Sequence, residues 1–251
     1  MRVAIAGGAL QGLEVAYLVA KAGHETLLLD RRNNPPAAGL CHAFLRLDME
    51  DQDALGMALE SVDVVIPATE NHPALRSLVG WCKEAGMPLA FDDEAYEISS
   101  SKTASQSLFE RLDIPTPAPW PDCAFSIEVM GRPGRYTPLQ ITDLEMDGIH
   151  DCKRVMAPAS LPRHLVGTFQ KTAVTLAEAV GLSGIMDVEA ILHQGVLKVL
   201  EIDARFPSQT PAAVYHATGV NMVEGLLGIF CGKPDRESGL GPPVETGASI
   251  L

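Results

Sequence analysis

The chain has 251 residues, of which 47% are hydrophobic and 20% charged, and its formal net charge is −13 at pH 7. This length allows one large domain or two small ones in an ordinary globular protein. The negative charge disfavours nucleic acid as a partner, and we expect neither a membrane span nor a signal peptide. The five cysteines are odd in number and lack zinc-binding spacing, so we expect reduced thiols and a cytoplasmic protein.

The first 95 residues alternate between apolar, β-prone runs and helical patterns, the order typical of a parallel sheet with crossover helices. The sequence therefore predicts an α/β, Rossmann-like parallel domain over residues 1–95. The β-prone runs lie at 2–6, 25–30, 61–68 and 87–92, and the helical patterns at 13–23 and 73–85.

The turn GGALQG at 7–12 departs from the dinucleotide-binding pattern GxGxxG, because Ala9 stands where the second glycine belongs. Asp30, at the end of the second strand, lies where a ribose-binding acid is found in that pattern. An NAD-dependent oxidoreductase is therefore one hypothesis. The turn could instead bind substrate through Gln11 and Glu14, or be a tight turn without a ligand.

The pattern changes after residue 96, where β-prone segments no longer alternate regularly with helices. We predict an α+β domain with an antiparallel sheet over residues 96–231. The tail at 232–251 is rich in glycine and proline, and we expect it to be poorly ordered. Helices are predicted at about 102–112, 162–181 and 220–231, a proline-rich linker at 115–123, and strands from Phe125 onward.

The segment 184–210 carries the strongest functional signal. Two β-prone runs flank His193, Gln194 and Gly195, the signature of a hairpin. If these three residues form the turn, four carboxylates share one face of the sheet, because side chains alternate along a strand. Oxygen-only clusters suit Mg²⁺ together with phosphates, and an arginine follows at once. An exposed acidic hairpin is the alternative. The carboxylates are Asp187, Glu189, Glu201 and Asp203, and the arginine is Arg205.

Other candidate residues begin helices or follow strands. Lys102 starts a predicted helix, and helix N-termini attract phosphate. Glu70 and Asp92 follow predicted strands at the sheet edge where ligands gather, and could hold the amines of a basic substrate. Both could equally be helix N-caps. Asp151 and Ser208 are further candidates for substrate binding.

Taken together, these residues resemble the ATP-grasp ligases, in which a carboxylate hairpin ending in E-x-N/D-x-R holds Mg²⁺ and nucleotide phosphates. Glu189, Glu201, Asp203 and Arg205 match that hairpin, with Asp203 where many members have Asn. The likeness is greatest to the branch that acts in pyrrolysine biosynthesis. It rests on GGALQGLEVAYL, ATEN, FDDEAYEIS with SK after it, IPTP, GIMDVEA and EIDARFPSQTP.

This resemblance implies an ATP- and Mg²⁺-dependent ligase that joins 3-methylornithine, a D-ornithine-type amino acid, to the side-chain amine of lysine through an acyl phosphate. It implies that Glu189, Glu201 and Asp203 hold Mg²⁺, and that Lys102 contacts the nucleotide with Glu189 and Glu201. Arg205 would stabilise transition-state charge. The implied partners are small amino acids and, in a homodimer, a second copy of the chain.

The chain departs from the family in one region. Family members carry, after the first ATP-binding lysine, a small subdomain with a second lysine and a glycine-rich phosphate lid. Here no lysine occurs between Lys102 and Lys153, and the turn at 131–138, GRPGRYTP, is too short to replace the lid. A non-catalytic amino-acid-binding protein on the same fold is therefore a second hypothesis.

Overall fold

The computed structural model of the protein describes residues 1–117, 123–147, 152–232 and 247–250. The chain forms two compact units, Met1–Phe91 with Asn221–Asp235, and Asp92–Val220 with Arg236–Leu251. The first boundary lies four residues before the predicted one at 95. Predicted Asp151 lies outside the described residues.

The first unit contains a four-stranded sheet in the order β3-β2-β1-β4, in which neighbouring strands pair in parallel. The predicted parallel sheet is therefore confirmed, whereas the Rossmann-like description stays a prediction. The strands are β1 (Arg2–Ala6), β2 (Glu25–Asp30), β3 (Ala43–Arg46) and β4 (Val64–Pro67). The helices are α1 (Leu10–Lys21), α2 (Gln52–Leu59) and α3 (His72–Ala85), with a 3₁₀ helix at Pro36–Leu40.

Two features of this unit differ from the prediction. The run at 87–92 makes only a bridge between Leu89 and Val65, because Pro88 has no N–H to extend a ladder. Helix α8 (Met222–Cys231) was predicted within the second domain but belongs to the first unit. It packs against α1, and the Asn221 amide donates to the carbonyl of Leu18 at 2.9 Å.

The second unit contains a six-stranded sheet in the order β10-β7-β6-β5-β8-β9, in which every pairing is antiparallel. This confirms the predicted antiparallel sheet. Its strands are β5 (Cys123–Arg132), β6 (Arg135–Met146), β7 (Cys152–Ala157), β8 (Gly184–His193), β9 (Val196–Asp203) and β10 (Ala248–Ile250). Its helices are α4 (Asp93–Ser99), α5 (Lys102–Arg111), α6 (Arg163–Ala179) and α7 (Thr210–Thr218).

Both faces of the antiparallel sheet are covered. Helix α6 packs on one face, where its Phe169 is completely buried with Ile127 and Val188. Helix α7 packs on the other face, where Ala213 and Ala217 contact a smaller apolar cluster. This smaller cluster leaves part of the second face to polar side chains, and the site described below lies there.

The predicted disorder of the tail is wrong for its last described residues. Ala248–Ile250 pair antiparallel with Val155–Ala157 of β7 at the edge of the sheet, and this pairing satisfies backbone groups on both strands. The rest of the predicted tail beyond Gly232 lies outside the described residues, except Gly247. Within the part of the chain that is described, no helix has the length and apolar character needed to cross a membrane.

Candidate functional site

The hairpin β8–β9 closes with a turn of two residues, not the predicted three. His193 pairs directly with Val196, so that Gln194 and Gly195 alone form the turn. Both have positive φ, 53° and 78°. Positive φ at both central residues is the mark of a type I′ turn, whose twist matches that of the strands it joins.

A β-bulge at Leu200 then sets the face on which the acidic residues lie. A regular ladder from a two-residue turn would pair Glu189 with Leu200 and send the acidic residues of the two strands to opposite faces. The ladder instead shifts by one residue between Ala190–Val199 and Glu189–Glu201, leaving Leu200 extra. Glu201 therefore faces Glu189. The shared face predicted for the four carboxylates is confirmed, although by a different route.

The four hairpin carboxylates and Arg205 line one cleft of about 90 Å³, here named the carboxylate pocket. Asp187 lies opposite Asp203, and Glu189 opposite Glu201. The pocket also contains predicted Ser208. Its full lining is Asp187, Glu189, Glu201, Asp203, Arg205, Ser208, Leu144, Cys152, Pro207, Gln209 and Thr210.

Two acidic side chains of the pocket, Asp187 and Glu189, have raised pKa values. Burial, followed by the charges of Asp203 and Glu201, raises the pKa of Asp187 to about 7, against the lowering effects of the Ser126 hydroxyl and Arg205. Burial, followed by the charges of Asp187 and Glu201, raises the pKa of Glu189 well above its ordinary value. Like charges brought this close disfavour each other's ionised form. A cation in the pocket would relieve that repulsion.

Arg205 is the cation that the chain itself places there. Its Nε donates a hydrogen bond to Oδ2 of Asp203, and its side chain is 19% exposed. The guanidinium of arginine is planar and carries several N–H donors. It is the predicted catalytic residue, and the structure brings it together with the hairpin carboxylates.

The donor set is suited to Mg²⁺ shared with a phosphate. Among the described residues, no three His, Cys, Asp or Glu side chains are arranged to hold a metal ion by themselves. The predicted set of Glu189, Glu201 and Asp203 thus does not form a complete protein cage. Mg²⁺ commonly takes only one or two carboxylates, with substrate phosphates and water completing its octahedron. The carboxylate oxygens of the pocket, which outnumber the single arginine in charge, fit that mode.

Two predicted residues of the second unit lie elsewhere. Lys102 is the first residue of α5, where its side chain is exposed, and it is not among the residues that line the pocket. Asp92 is the N-cap of α4: Oδ1 accepts from the Ala95 N–H at 3.0 Å and Oδ2 from the Ser183 N–H at 2.6 Å. The N-cap alternative therefore accounts for Asp92 structurally, and its role in substrate binding stays a prediction.

The remaining predicted residues belong to the first unit. Gln11 and Glu14 are each 5% exposed on α1, and Glu70 is exposed after β4. Their role in substrate binding stays a prediction.

The glycine turn is held by a hydrogen bond to another residue of the protein. Oδ2 of Asp30 accepts from the Gly8 N–H at 2.7 Å, while Arg32 donates to both oxygens from its backbone and guanidinium. Burial raises the pKa of Asp30, but the hydrogen bonds from Arg32 and Gly8 outweigh it and the net pKa is lowered. A Cβ on Gly12 would lie 2.0 Å from the Gly7 oxygen. These contacts favour a tight structural turn over a dinucleotide site.

Three residues of the pocket region were not found from the sequence. Glu128 and Ser126 project from β5 on the same face as the carboxylates, since Glu128 pairs with Asp187 and Ser126 with Glu189. The Ser126 hydroxyl donates to Asp187, and the Thr210 hydroxyl donates to Glu128. Ser126 and Glu128 alternate with apolar residues in β5, and this alternation was the only sequence signal for them.

Comparisons with known proteins assign the chain to a family. The 3-methyl-D-ornithine–L-lysine ligase of Methanosarcina mazei is 32% identical over 272 aligned positions, which cover 92% of this chain and 72% of the relative. This chain belongs to the 3-methyl-D-ornithine–L-lysine ligase family. No family model matches it. The alignment is longer than the 251 residues of the chain, so the relative contains residues that this member lacks.

Solved structures show the same fold at low sequence identity. N5-carboxyaminoimidazole ribonucleotide synthetase from Thermus thermophilus matches with a TM-score of 0.77 and 18% identity, over 98% of this chain and 82% of that chain. An ADP complex of this type of synthetase matches with a TM-score of 0.75 and 16% identity, over 93% and 77%. At such low identity these structures show a shared fold. The predicted resemblance to the ligase that joins 3-methylornithine to lysine is confirmed by the named relatives.

Proposed function

We propose that the protein is an ATP- and Mg²⁺-dependent ligase that forms an amide between 3-methyl-D-ornithine and the side-chain amine of L-lysine. The observation that carries the proposal is the carboxylate pocket, where four acidic side chains and Arg205 line one cleft. Family membership, with relatives named for this reaction, supports the choice of substrates. The reaction would proceed by transfer of the γ-phosphoryl group to the ornithine-type carboxylate, followed by attack of the amine and loss of phosphate.

The hairpin carboxylates would hold the metal. Glu189 and Glu201 face each other across the two strands, so a single ion could take one oxygen from each and complete its octahedron with phosphate oxygens and water. Asp203, which accepts a hydrogen bond from Arg205, is the third predicted ligand. Mg²⁺ bound there would neutralise phosphate charge during phosphoryl transfer.

Arg205 and Lys102 would supply the protein's own positive charge. Arg205 lies in the carboxylate pocket, where its N–H groups can stabilise negative charge that develops on the phosphoryl group or on the tetrahedral intermediate. We retain Lys102, at the first position of α5, as a proposed nucleotide contact. The proposal for Arg205 has direct geometric support, whereas that for Lys102 rests on the family motif.

A non-catalytic amino-acid-binding protein on the same fold is a second candidate. It is favoured by the region between Lys102 and Lys153, which contains no lysine and no glycine-rich phosphate lid. An acyl phosphate must be kept away from water, and that is the task of a lid. A protein without one could keep amino-acid binding while losing turnover.

A ligation assay separates these two candidates. The purified chain is incubated with ATP, Mg²⁺, 3-methyl-D-ornithine and L-lysine, and both phosphate release and the amide product are measured, the latter by mass spectrometry. The ligase predicts equal amounts of phosphate and amide, and neither when lysine or Mg²⁺ is omitted. Calorimetric binding of the amino acid without any amide product would instead support the binding protein.

A further inference from the structure

The start of helix α7 is fixed by a buried carboxylate on a distant strand. Glu128 lies in the middle of β5 with 0% exposure, and Thr210 is the first residue of α7 with 3% exposure. The Thr210 hydroxyl donates a hydrogen bond to Oε1 of Glu128. The two residues are 82 positions apart, so this bond ties the helix to the sheet and is not a local cap.

This arrangement is costly for stability. A carboxylate taken from water into the interior carries a desolvation penalty, and apolar residues of similar volume often serve as well or better. The cap residue Gln209 has φ 71° although it is not glycine, and no side chain caps α7 locally. A non-glycine residue with positive φ is strained, and such residues cluster at functional sites. Such costs suggest that the position of this segment matters for function.

The segment held in this way contains Arg205. Residues 204–209, here named the arginine loop, run from the end of β9 to the start of α7. At one end the Ala204 N–H donates to the Ser99 hydroxyl at 3.0 Å. At the other end Gln209 Nε2 donates to the Cys152 carbonyl at 3.4 Å, next to the bond from Thr210. Arg205 therefore lies on a short loop anchored at both ends.

We propose that Glu128 is a positioning residue that acts through the Thr210 hydroxyl to hold the arginine loop, and with it Arg205, in the carboxylate pocket. The expected effect of Glu128 on turnover rests on the proposed ligase function, whereas its expected effect on the arginine loop is independent of that function. A displacement of about 1 Å at a reacting group can lower a rate by about 100-fold, so a single anchoring bond far from the chemistry can have a large effect.

The test compares three variants with the wild-type protein. Thr210→Val removes the hydroxyl with little change of shape, Thr210→Ser keeps it, and Glu128→Met replaces the acceptor with an uncharged side chain of similar length. Amide hydrogen exchange of residues 204–209 is followed by mass spectrometry, with peptides from β8 as the internal control. We expect exchange in the loop to rise about 10-fold or more in Thr210→Val and Glu128→Met, and to stay within about 3-fold of wild type in Thr210→Ser.

A second measurement separates positioning from general stability. We expect kcat to fall about 10-fold or more in both Thr210→Val and Glu128→Met, with KM for ATP changed less than about 2-fold and the double variant no worse than either alone. Glu128→Met removes a buried charge, so its melting temperature should not fall with its kcat. Unchanged loop exchange in these variants would overturn the inference whether or not the protein is a ligase. Turnover that falls only in proportion to melting temperature would also overturn it.

Discussion

The clustered charge of the carboxylate pocket predicts that one substitution within it stabilises the protein. Asp187→Asn keeps the size of the side chain and removes its charge. The pKa of Asp187 is about 7 because of burial and of the neighbouring charges of Asp203 and Glu201. A folded-state pKa above the unfolded value means that ionisation of Asp187 opposes folding. The stability associated with its protonated form is present below about pH 4 and is lost as the pH rises to about 7.

The size of the effect follows from that pKa. A change from the ordinary value of 3.8 to about 7 corresponds to about 4 kcal/mol at about 1.4 kcal/mol for each pH unit. This is an upper bound, because Glu189 and the other acids titrate together with Asp187, and their own protonation can change when its charge is removed. We therefore expect Asp187→Asn to increase the free energy of unfolding at pH 8 by about 2–4 kcal/mol relative to wild type, and to have little effect at pH 4.

Urea unfolding of both proteins at pH 4, 6 and 8 measures this difference. Glu110→Gln, an exposed position on α5, serves as the control for removal of one negative charge outside the pocket. The control should track wild type at each pH, because surface charges contribute little. If Asp187→Asn were less stable than wild type at pH 8, or if its advantage did not grow with pH, then mutual repulsion would not be the dominant feature of this pocket.

Three further predictions concern the metal ligand, the hairpin turn and the glycine turn. Glu201→Gln should abolish Mg²⁺-dependent turnover without lowering the melting temperature, because it removes a charge that repels Asp187 and Glu189; retained turnover would remove the hairpin from the mechanism. Gln194→Gly should raise the free energy of unfolding by about 0.5–1 kcal/mol, because φ at this position is 53°; a loss in urea unfolding would contradict this. Asp30→Asn should lower the melting temperature most above pH 4. The pKa of Asp30 is lower in the folded than in the unfolded protein, so its charge stabilises the fold at any pH above the unfolded-state pKa. Equal melting curves across pH, or tight NADH binding by wild type in a fluorescence titration, would count against a purely structural Asp30.

The hairpin shows how far sequence pattern can reach. Alternation in the two runs was enough to place Asp187, Glu189, Glu201 and Asp203 on one face, because an assumed three-residue turn has the same parity as a two-residue turn with one bulge residue. The bulge at Leu200 itself leaves no local mark, since Leu200 is one apolar residue among several in β9. The sequence pattern predicted that the four carboxylates share one face of the sheet, but it could not predict which residues pair across the two strands.

The candidate residues outside the hairpin depended on contacts that are distant in the chain. Asp92 carried the residue type of both a ligand and an N-cap, and only its bond to the Ser183 N–H, 91 residues away, settles its structural role. Glu128 and Thr210 were missed for the same reason. Helix α8 was correctly predicted as a helix, but its place in the first unit depends on packing against α1, which no local pattern records.

The central claim is that the carboxylate pocket binds Mg²⁺ with nucleotide phosphate, and calorimetric titration with a non-hydrolysable ATP analogue tests it most directly. Wild type is titrated with and without Mg²⁺, and Glu201→Gln serves as the matched control. We expect micromolar binding that requires Mg²⁺ and is lost in Glu201→Gln. Absence of binding in wild type, or binding that is equally tight without Mg²⁺ and in the variant, would contradict it.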